Sequence, residues 1–335
     1  MPEGHTVHRL AATFGDLFLG SRVSLSSPQG RFAAGSALLD GHVLVASEAY
    51  GKQMFLGFAP QPEAVPTEEL RWLRVHLGLY GAWTFAGDPA TAVVHAIGAP
   101  RKRVGERETV LAGGGGISSG ASASPAPGDW EPPAPRGAVR VRLESEHACA
   151  DLTGPTACEV LTTPEARAVQ RRLGPDPLRP DSDPGRFVEA VVRSRSPIGV
   201  LLMNQEVIAG VGNIYRAEAL FRAGQNPLAP GITVSREVVL DIWRDVAELM
   251  ADGVRTGAIV TTRPEDRSRG EGLPDVGAPR RLARQNTDAE PGAVAREDSF
   301  YVYQRDGLPC RICRTPIALS VMATRNLFRC PTCQP

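Results

Sequence analysis

Val7, Leu10, Ala11, Phe14 and Leu17 recur at spacings of three and four, a period that predicts an amphipathic helix over Thr6 to Leu19. From Arg22 to about Phe85 the pattern changes to short apolar runs such as Val43-Leu44-Val45 and Met54-Phe55-Leu56, broken by Gly30, Gly41, Gly51, Gly57 and Gly81. That pattern predicts strands joined by turns. Residues 113–135 are rich in Gly, Ser and Pro, bury too little apolar surface to offset ordering, and read as a flexible insertion. Strand-like Ala138 to Leu143 follows, so the insertion interrupts the β domain, which is expected to end near Gly174-Pro175-Asp176-Pro177 and to span residues 1–173.

Beyond it the signals are helical. Asp183-Pro184 and Ser196-Pro197 each pair an N-cap side chain with proline at the first helical position. A further helix is predicted from Asn213 to Ala223, stopped by Gly224 with Pro227 behind it. Another should run from Ser235 to Met250, with Val238, Ile242, Val246 and Leu249 on one face. These make a helical domain, 174–260. Thr261 to Glu297 is polar and aperiodic and reads as a second flexible linker, leaving a short C-terminal module at 298–335.

The chain has 335 residues, 42% hydrophobic and 22% charged, enough for two or three domains. It shows neither the roughly 18 apolar residues in a row that a membrane span requires nor a basic-then-apolar start. A cytoplasmic protein without membrane association is expected. The charges balance, 37 basic against 37 acidic, but from Tyr301 onward Arg305, Arg311, Arg314, Arg325 and Arg329 are opposed only by Asp306. Lys52 and Lys102 are the only lysines, so the place of each is informative.

Three groups of residues carry chemistry. Cys310-x-x-Cys313 and Cys330-x-x-Cys333, with sixteen residues between the pairs, can close a tetrahedral site for one structural zinc, and a reducing compartment disfavours two disulfides. The zinc would hold a hairpin whose tip, Ala323-Thr324-Arg325-Asn326, presents Arg325; Cys149 and Cys158 read as buried thiols. Ile208-Ala209-Gly210-Val211-Gly212-Asn213 lies between helices, where free amides can bind an anion such as phosphate, though two glycines and an asparagine also make a plain helix–helix turn. Removal of Met1 would give Pro2 a free secondary amine able to attack an aldehyde-level carbon, with Glu3 beside it to move protons.

MPEGHTVHRL, AYGKQMFLGF, LLMNQEVIAGVGNIYRAEALFRAG and the terminal CRIC…CPTC together resemble the formamidopyrimidine-DNA glycosylase and endonuclease VIII family, over both ends and the middle of the chain. The resemblance implies an α+β multidomain enzyme: an N-terminal β-sandwich with an N-terminal helix, a helix-two-turn-helix domain and a C-terminal four-cysteine zinc finger. It implies a bifunctional DNA glycosylase and abasic-site lyase of base-excision repair, in which Pro2 attacks C1′ of a damaged nucleotide and Glu3 is the general acid or base. Lys52 would contact phosphate and assist β-elimination, Arg325 would grip the flanking phosphates and take part in δ-elimination, and Asn213 would bind the same phosphates.

An excised base must leave the stack, and the gap must be filled. His76-Leu77-Gly78-Leu79-Tyr80-Gly81 resembles the intercalating segment of endonuclease VIII relatives and offers Leu79 and Tyr80 as the wedge, against the reading that both are core residues of a strand. Gly78 departs from the bacterial pattern, which has a polar side chain there. The details favour the endonuclease VIII branch and oxidised pyrimidines; the formamidopyrimidine branch and single-stranded or bubble DNA stay open. A monomer needing no organic cofactor is expected. The rival from another class is a zinc-dependent module that binds damaged or abasic DNA without cleaving it; a zinc-ribbon transcription factor is the weakest reading. His5 and His8 are expected on a solvated or phosphate-facing surface, and Glu218 and Arg222 as an i, i+4 pair.

Overall fold

The computed structural model describes residues 2–61, 69–88, 91, 96–98, 130–267 and 294–335. They fall into two compact units. The first holds Pro2, Thr6–Ala49 and Gln53–Val169; the second holds Glu3–His5, Tyr50–Lys52 and Gln170–Pro335. Lys102, residues 113–129 of the insertion and 268–293 of the linker lie outside the described residues.

Helix α1 (Gly4–Phe18) runs close to the predicted span. After it come β1 (Ser24–Ser26), α2 (Ala33–Ala37), β2 (Val43–Tyr50), β3 (Gln53–Ala59), β4 (Arg71–His76), β5 (Ala82–Gly87), β6 (Ala96–Gly98), β7 (Val139–Glu144), β8 (Ala148–Thr153) and β9 (Ala157–Thr162). Two sheets result, one ordered β1-β7-β8-β5-β6 and the other β2-β3-β4-β9. One core joins them: Leu44, Leu56, Phe58 and Leu73 of the second sheet meet Trp83, Val141, Leu143 and Leu152 of the first, with Leu10, Phe14 and Phe18 of α1. Phe14 stands edge-on to Trp83 at 4.7 Å between centroids, a favourable aromatic geometry. This is the expected sandwich. β7 pairs with both β1 and β8, so the strand after the insertion belongs to the same sheet as the strands before it.

α3 (Thr163–Arg171) follows β9 directly and contains the division between the units. The second unit then contributes α4 (Pro184–Val192), α5 (Ile198–Leu201), α6 (Asn213–Arg222) and α7 (Arg236–Thr256). The Asp183 side chain accepts from the Gly185 amide at 2.8 Å, capping α4 as predicted. At α5 the expectation fails: Pro197, not Ser196, holds the cap position, with no side-chain cap. Ser235 caps α7 through the Val238 amide at 3.3 Å, and the helix continues past Met250 until Gly257, at φ +71°, ends it.

α6 is buried on every side from Ile214 to Phe221 because two cores flank it. Ile214, Tyr215 and Leu220 pack with Phe187, Ile242 and Val246, whereas Ala217 and Phe221 pack with Tyr301, Val302, Ile317 and Phe328 of the C-terminal module. That module comprises α8 (Arg296–Ser299) and the hairpin of β10 (Ala318–Met322) and β11 (Arg325–Arg329).

Glu218 corrects a sequence expectation. It makes no i, i+4 pair with Arg222; its buried carboxylate accepts from the amides of Tyr301 and Val302 at 2.8 Å and Tyr303 at 2.7 Å, and from the Thr261 hydroxyl. Arg222 turns instead to both carboxylate oxygens of Asp245, at 2.8 and 2.9 Å from Nε, and to the Thr261 carbonyl at 2.7 Å. The linker expectation is narrowed by the same contacts. Thr261 and Thr262 are buried, and the Thr261 amide donates to the Ser299 carbonyl at 2.8 Å, so both described ends of 261–297 are built into the helical unit. Glu218→Ala would strand three amides, two of them buried, and is expected to cost roughly 3–5 kcal/mol, lowering the midpoint of a chemical denaturation of the full chain.

Candidate active site

The elements converge on the turn Gly210–Asn213 that leads into α6. Glu3 reaches it from the start of the chain. Its carboxylate is 1% exposed and accepts from the Gly212 amide at 2.8 Å, the Ile214 amide at 2.8 Å and, at 3.5 Å, the Tyr215 amide. A carboxylate here meets the unpaired donors and the positive end of the α6 dipole. The Gly4 amide donates to the Gly210 carbonyl at 2.8 Å, fixing the backbone beside Glu3. Position 212 has to be glycine for steric reasons, since a Cβ there would fall 2.4 Å from the Glu3 carboxyl carbon. The amides of Gly212 and Ile214, which the sequence offers to a phosphate, are therefore occupied by the protein's own carboxylate.

Lys52 comes to the same turn. Its Nζ donates to the Val211 carbonyl at 2.8 Å, an acceptor shared with Gln205 Nε2 at 2.9 Å. Two buried or braced groups that sequence reasoning missed hold this arrangement. Asp176, fully buried, accepts from the Gly51 amide at 2.6 Å and so fixes the residue before Lys52. Gln205 Oε1 accepts from the Gly210 amide at 3.0 Å. The signal for Asp176 was its place in a Gly-Pro-Asp-Pro turn; for Gln205 nothing local pointed to it. Burial, with the Asp176 charge adding to it, pushes the neighbouring Tyr50 hydroxyl upward, and the Arg179 guanidinium lies over the Tyr50 ring, 5.2 Å from its centroid.

Asn213 begins α6 and points its amide at the hairpin: Nδ2 donates to the Asn326 carbonyl at 3.0 Å. Arg216, one turn on, donates to the same carbonyl at 2.9 Å and to Asn213 Oδ1. Burial, the dominant cause, pulls the Arg216 guanidinium down to about 10, with the like charge of Arg325 adding to it and Glu3 opposing. Arg325 itself is exposed at the head of β11, just after a two-residue turn in which Ala323 and Thr324 have φ +48° and +63°. Both turn residues lie in the left-handed region, as a tight hairpin connection requires.

The four Sγ atoms of Cys310, Cys313, Cys330 and Cys333 lie within 4.8 Å of one another, with Cys310–Cys333 at 3.9 Å and Cys313–Cys330 at 3.3 Å. Thiolates around a tetrahedral zinc, with Zn–S near 2.3 Å, sit about 3.8 Å apart, and a disulfide would need about 2 Å. The donor set fits a structural zinc site. Hydrogen bonds from Thr315 draw the Cys313 thiol down to about 6, whereas burial pushes Cys330 and Cys333 up. Cys149 is buried and Cys158 half-buried, and burial pushes Cys158 up to about 12; neither belongs to the cluster.

Pro2, Leu79 and Tyr80 belong to the first unit. Pro2 is buried. Leu79 and Tyr80 follow β4 in a turn and are 43% and 69% exposed, so they are not core residues of a strand. Gly78 has φ +65°, and a Cβ on it would fall 1.7 Å from Thr156 Oγ1, so the turn as built has no room for a side chain there. His5 is corrected: it is 2% exposed and stands edge-on to Tyr215 at 5.5 Å, away from solvent.

This combination, a β-sandwich, a helical domain with a carboxylate-capped helix, and a four-cysteine hairpin, is the fold of formamidopyrimidine-DNA glycosylases. The Thermus thermophilus MutM (Fpg) structure superposes with a TM-score of 0.64 at 23% identity over 99% of this chain and 98% of its own. A Lactococcus lactis Fpg bound to DNA containing N7-benzyl-Fapy-dG gives 0.65 at 16% identity, covering 99% of each chain. Residues 173–265 match the formamidopyrimidine-DNA glycosylase H2TH domain. A Mycobacterium tuberculosis protein named Endonuclease 8 1 is 38% identical over 334 residues, all of both chains. The chain belongs to the formamidopyrimidine-DNA glycosylase and endonuclease VIII family of DNA glycosylases with abasic-site lyase activity, and within it is endonuclease VIII-like.

Chelation at neutral pH is expected to release one zinc per chain, measured by elemental mass spectrometry, and Cys313→Ser to lower the bound zinc well below one. Acidification should release it too, because protons compete for the thiolates.

Proposed function

We propose that this protein removes oxidised bases, pyrimidines in preference, from damaged DNA, with Pro2 as nucleophile, and cleaves the strand by β,δ-elimination. The observation that carries the reading is the convergence of Glu3 and Lys52 on one turn, with Pro2 covalently next to Glu3. Once Met1 is removed, the Pro2 nitrogen attacks C1′, the N-glycosidic bond breaks, and the base leaves with a proton. Glu3 exchanges protons at the sugar as its ring opens to the iminium ion. Loss of a C2′ proton breaks the C3′–O bond; loss of a C4′ proton breaks the C5′–O bond, leaving phosphate on both DNA ends. Hydrolysis of the iminium frees Pro2.

Lys52 serves phosphate contact and the first elimination, Asn213 and Arg325 the phosphates flanking the lesion, and Arg325 the second elimination. Leu79 and Tyr80, exposed in a turn, supply apolar surface to fill the space of an extruded base. Zinc, held by Cys310, Cys313, Cys330 and Cys333, would fix the hairpin and take no part in the chemistry. The full-length match to Endonuclease 8 1, against matches of about half the chain to formamidopyrimidine-DNA glycosylases such as that of Methylobacillus flagellatus, supports the endonuclease VIII branch.

Borohydride trapping on duplex DNA with an abasic site tests the reading. Wild type is expected to give a covalent complex, with trapping reduced at least about 100-fold by retention of Met1 and markedly slowed by Pro2→Gly. Binding without trapping, from protein with a demonstrated Pro2 amine and bound zinc, would instead define a non-catalytic module for abasic DNA.

A further inference from the structure

Arg216 stands out among the charged groups. It is 0% exposed, no carboxylate is in ion-pair contact with it among the described residues, and its Nε has no hydrogen-bond partner. Its acceptors are two backbone carbonyls, Asn326 at 2.9 Å and Gly199 at 3.5 Å, and the Asn213 side chain. Burying a guanidinium without a contact counter-ion is costly, and an apolar side chain would pack between the same helix and hairpin with less expense of free energy. Gluing the module to α6 is already achieved by Ala217, Phe221 and Glu218.

What Arg216 adds is the fixed position of one carbonyl. Asn326 directly follows Arg325, and Ala323 and Thr324, directly before it, hold left-handed conformations that non-glycine residues adopt only where their surroundings enforce them. The two donors on the Asn326 carbonyl pin the far side of that turn. Arg216 also holds Asn213 Oδ1, which leaves Nδ2 facing the same carbonyl. Arg325 is exposed, and the backbone that carries it is held at the next residue by two donors from α6.

We infer that Arg216 is a positioning residue that sets the placement of Arg325 and thereby favours the second, δ, elimination over release after the first. The inference rests on the lyase reading above, with Arg325 acting at the second step.

The test uses full-length, zinc-loaded wild type, Arg216→Gln, Arg216→Lys and Arg325→Gln on duplex DNA with a preformed abasic site. The β and β,δ products are separated on a denaturing gel, and borohydride trapping is timed in parallel. Arg216→Gln is expected to raise the ratio of β to β,δ product at least about fivefold, towards the value of Arg325→Gln, with trapping within about twofold of wild type and one zinc retained. Arg216→Lys, which keeps the charge and one donor, should fall between Gln and wild type. It carries the test alone, by a rise of at least about twofold, if Arg216→Gln does not fold. An unmoved ratio, or trapping that falls as much as the β,δ product, overturns the inference. Wild type that traps nothing overturns the Pro2 reading itself, and this inference with it.

Discussion

Glu3 accepts the amides of Gly212 and Ile214 across more than two hundred residues of sequence, placing a buried carboxylate at the mouth of α6. Taking a carboxylate out of water is costly; charge-assisted bonds of about 1.5–3 kcal/mol each and the helix dipole offset that cost only if the geometry is held. The requirement propagates outward. Gly212 can carry no side chain, Gly4 is tied to Gly210, and the residue next to Glu3, the proposed nucleophile, has its backbone anchored from one side. Lys52 then finds its acceptor in the residue between those two glycines.

α6 extends this support to the C-terminal module. A module of about 38 residues cannot bury enough of its own surface to be stable alone. It borrows Ala217 and Phe221 for its core and Glu218 for the amides of residues 301–303, and its four cysteines supply the site for a metal clip. From its N-terminus to its last turn, one ten-residue helix thus serves the Glu3 carboxylate, the Asn326 carbonyl, the module core and Asp245.

The parts legible in the sequence were those with local causes. The period of α1, the Asp183 cap, the start of α7 at Ser235, Gly224 after α6 and the two Cys-x-x-Cys pairs each depend on residues within a few positions, and each is found where expected. Glu3 and Asn213 stood out by their motifs and Lys52 by its rarity, with their roles implied by resemblance, but their contacts were not readable, because each partner lies 113 or more positions away. Glu218 and Arg222 show the error that local reading makes: helical spacing offers a pair, while a stranded row of amides and the Asp245 carboxylate offer each a better partner. Arg216 was passed over because a cation on a helix reads as solvated until a second layer of structure covers it. The ends of 261–297 read as linker because threonines buried by hydrogen bonding look the same in sequence as threonines in solvent.

Hydrogen–deuterium exchange of the peptide covering residues 208–216, in wild type and Glu3→Ala, measures directly what the carboxylate at the start of α6 holds in place. Loss of that carboxylate should speed exchange of this peptide by at least about tenfold, while peptides from the β-sandwich core keep their protection. Equal protection of residues 208–216 in the two proteins would contradict the account.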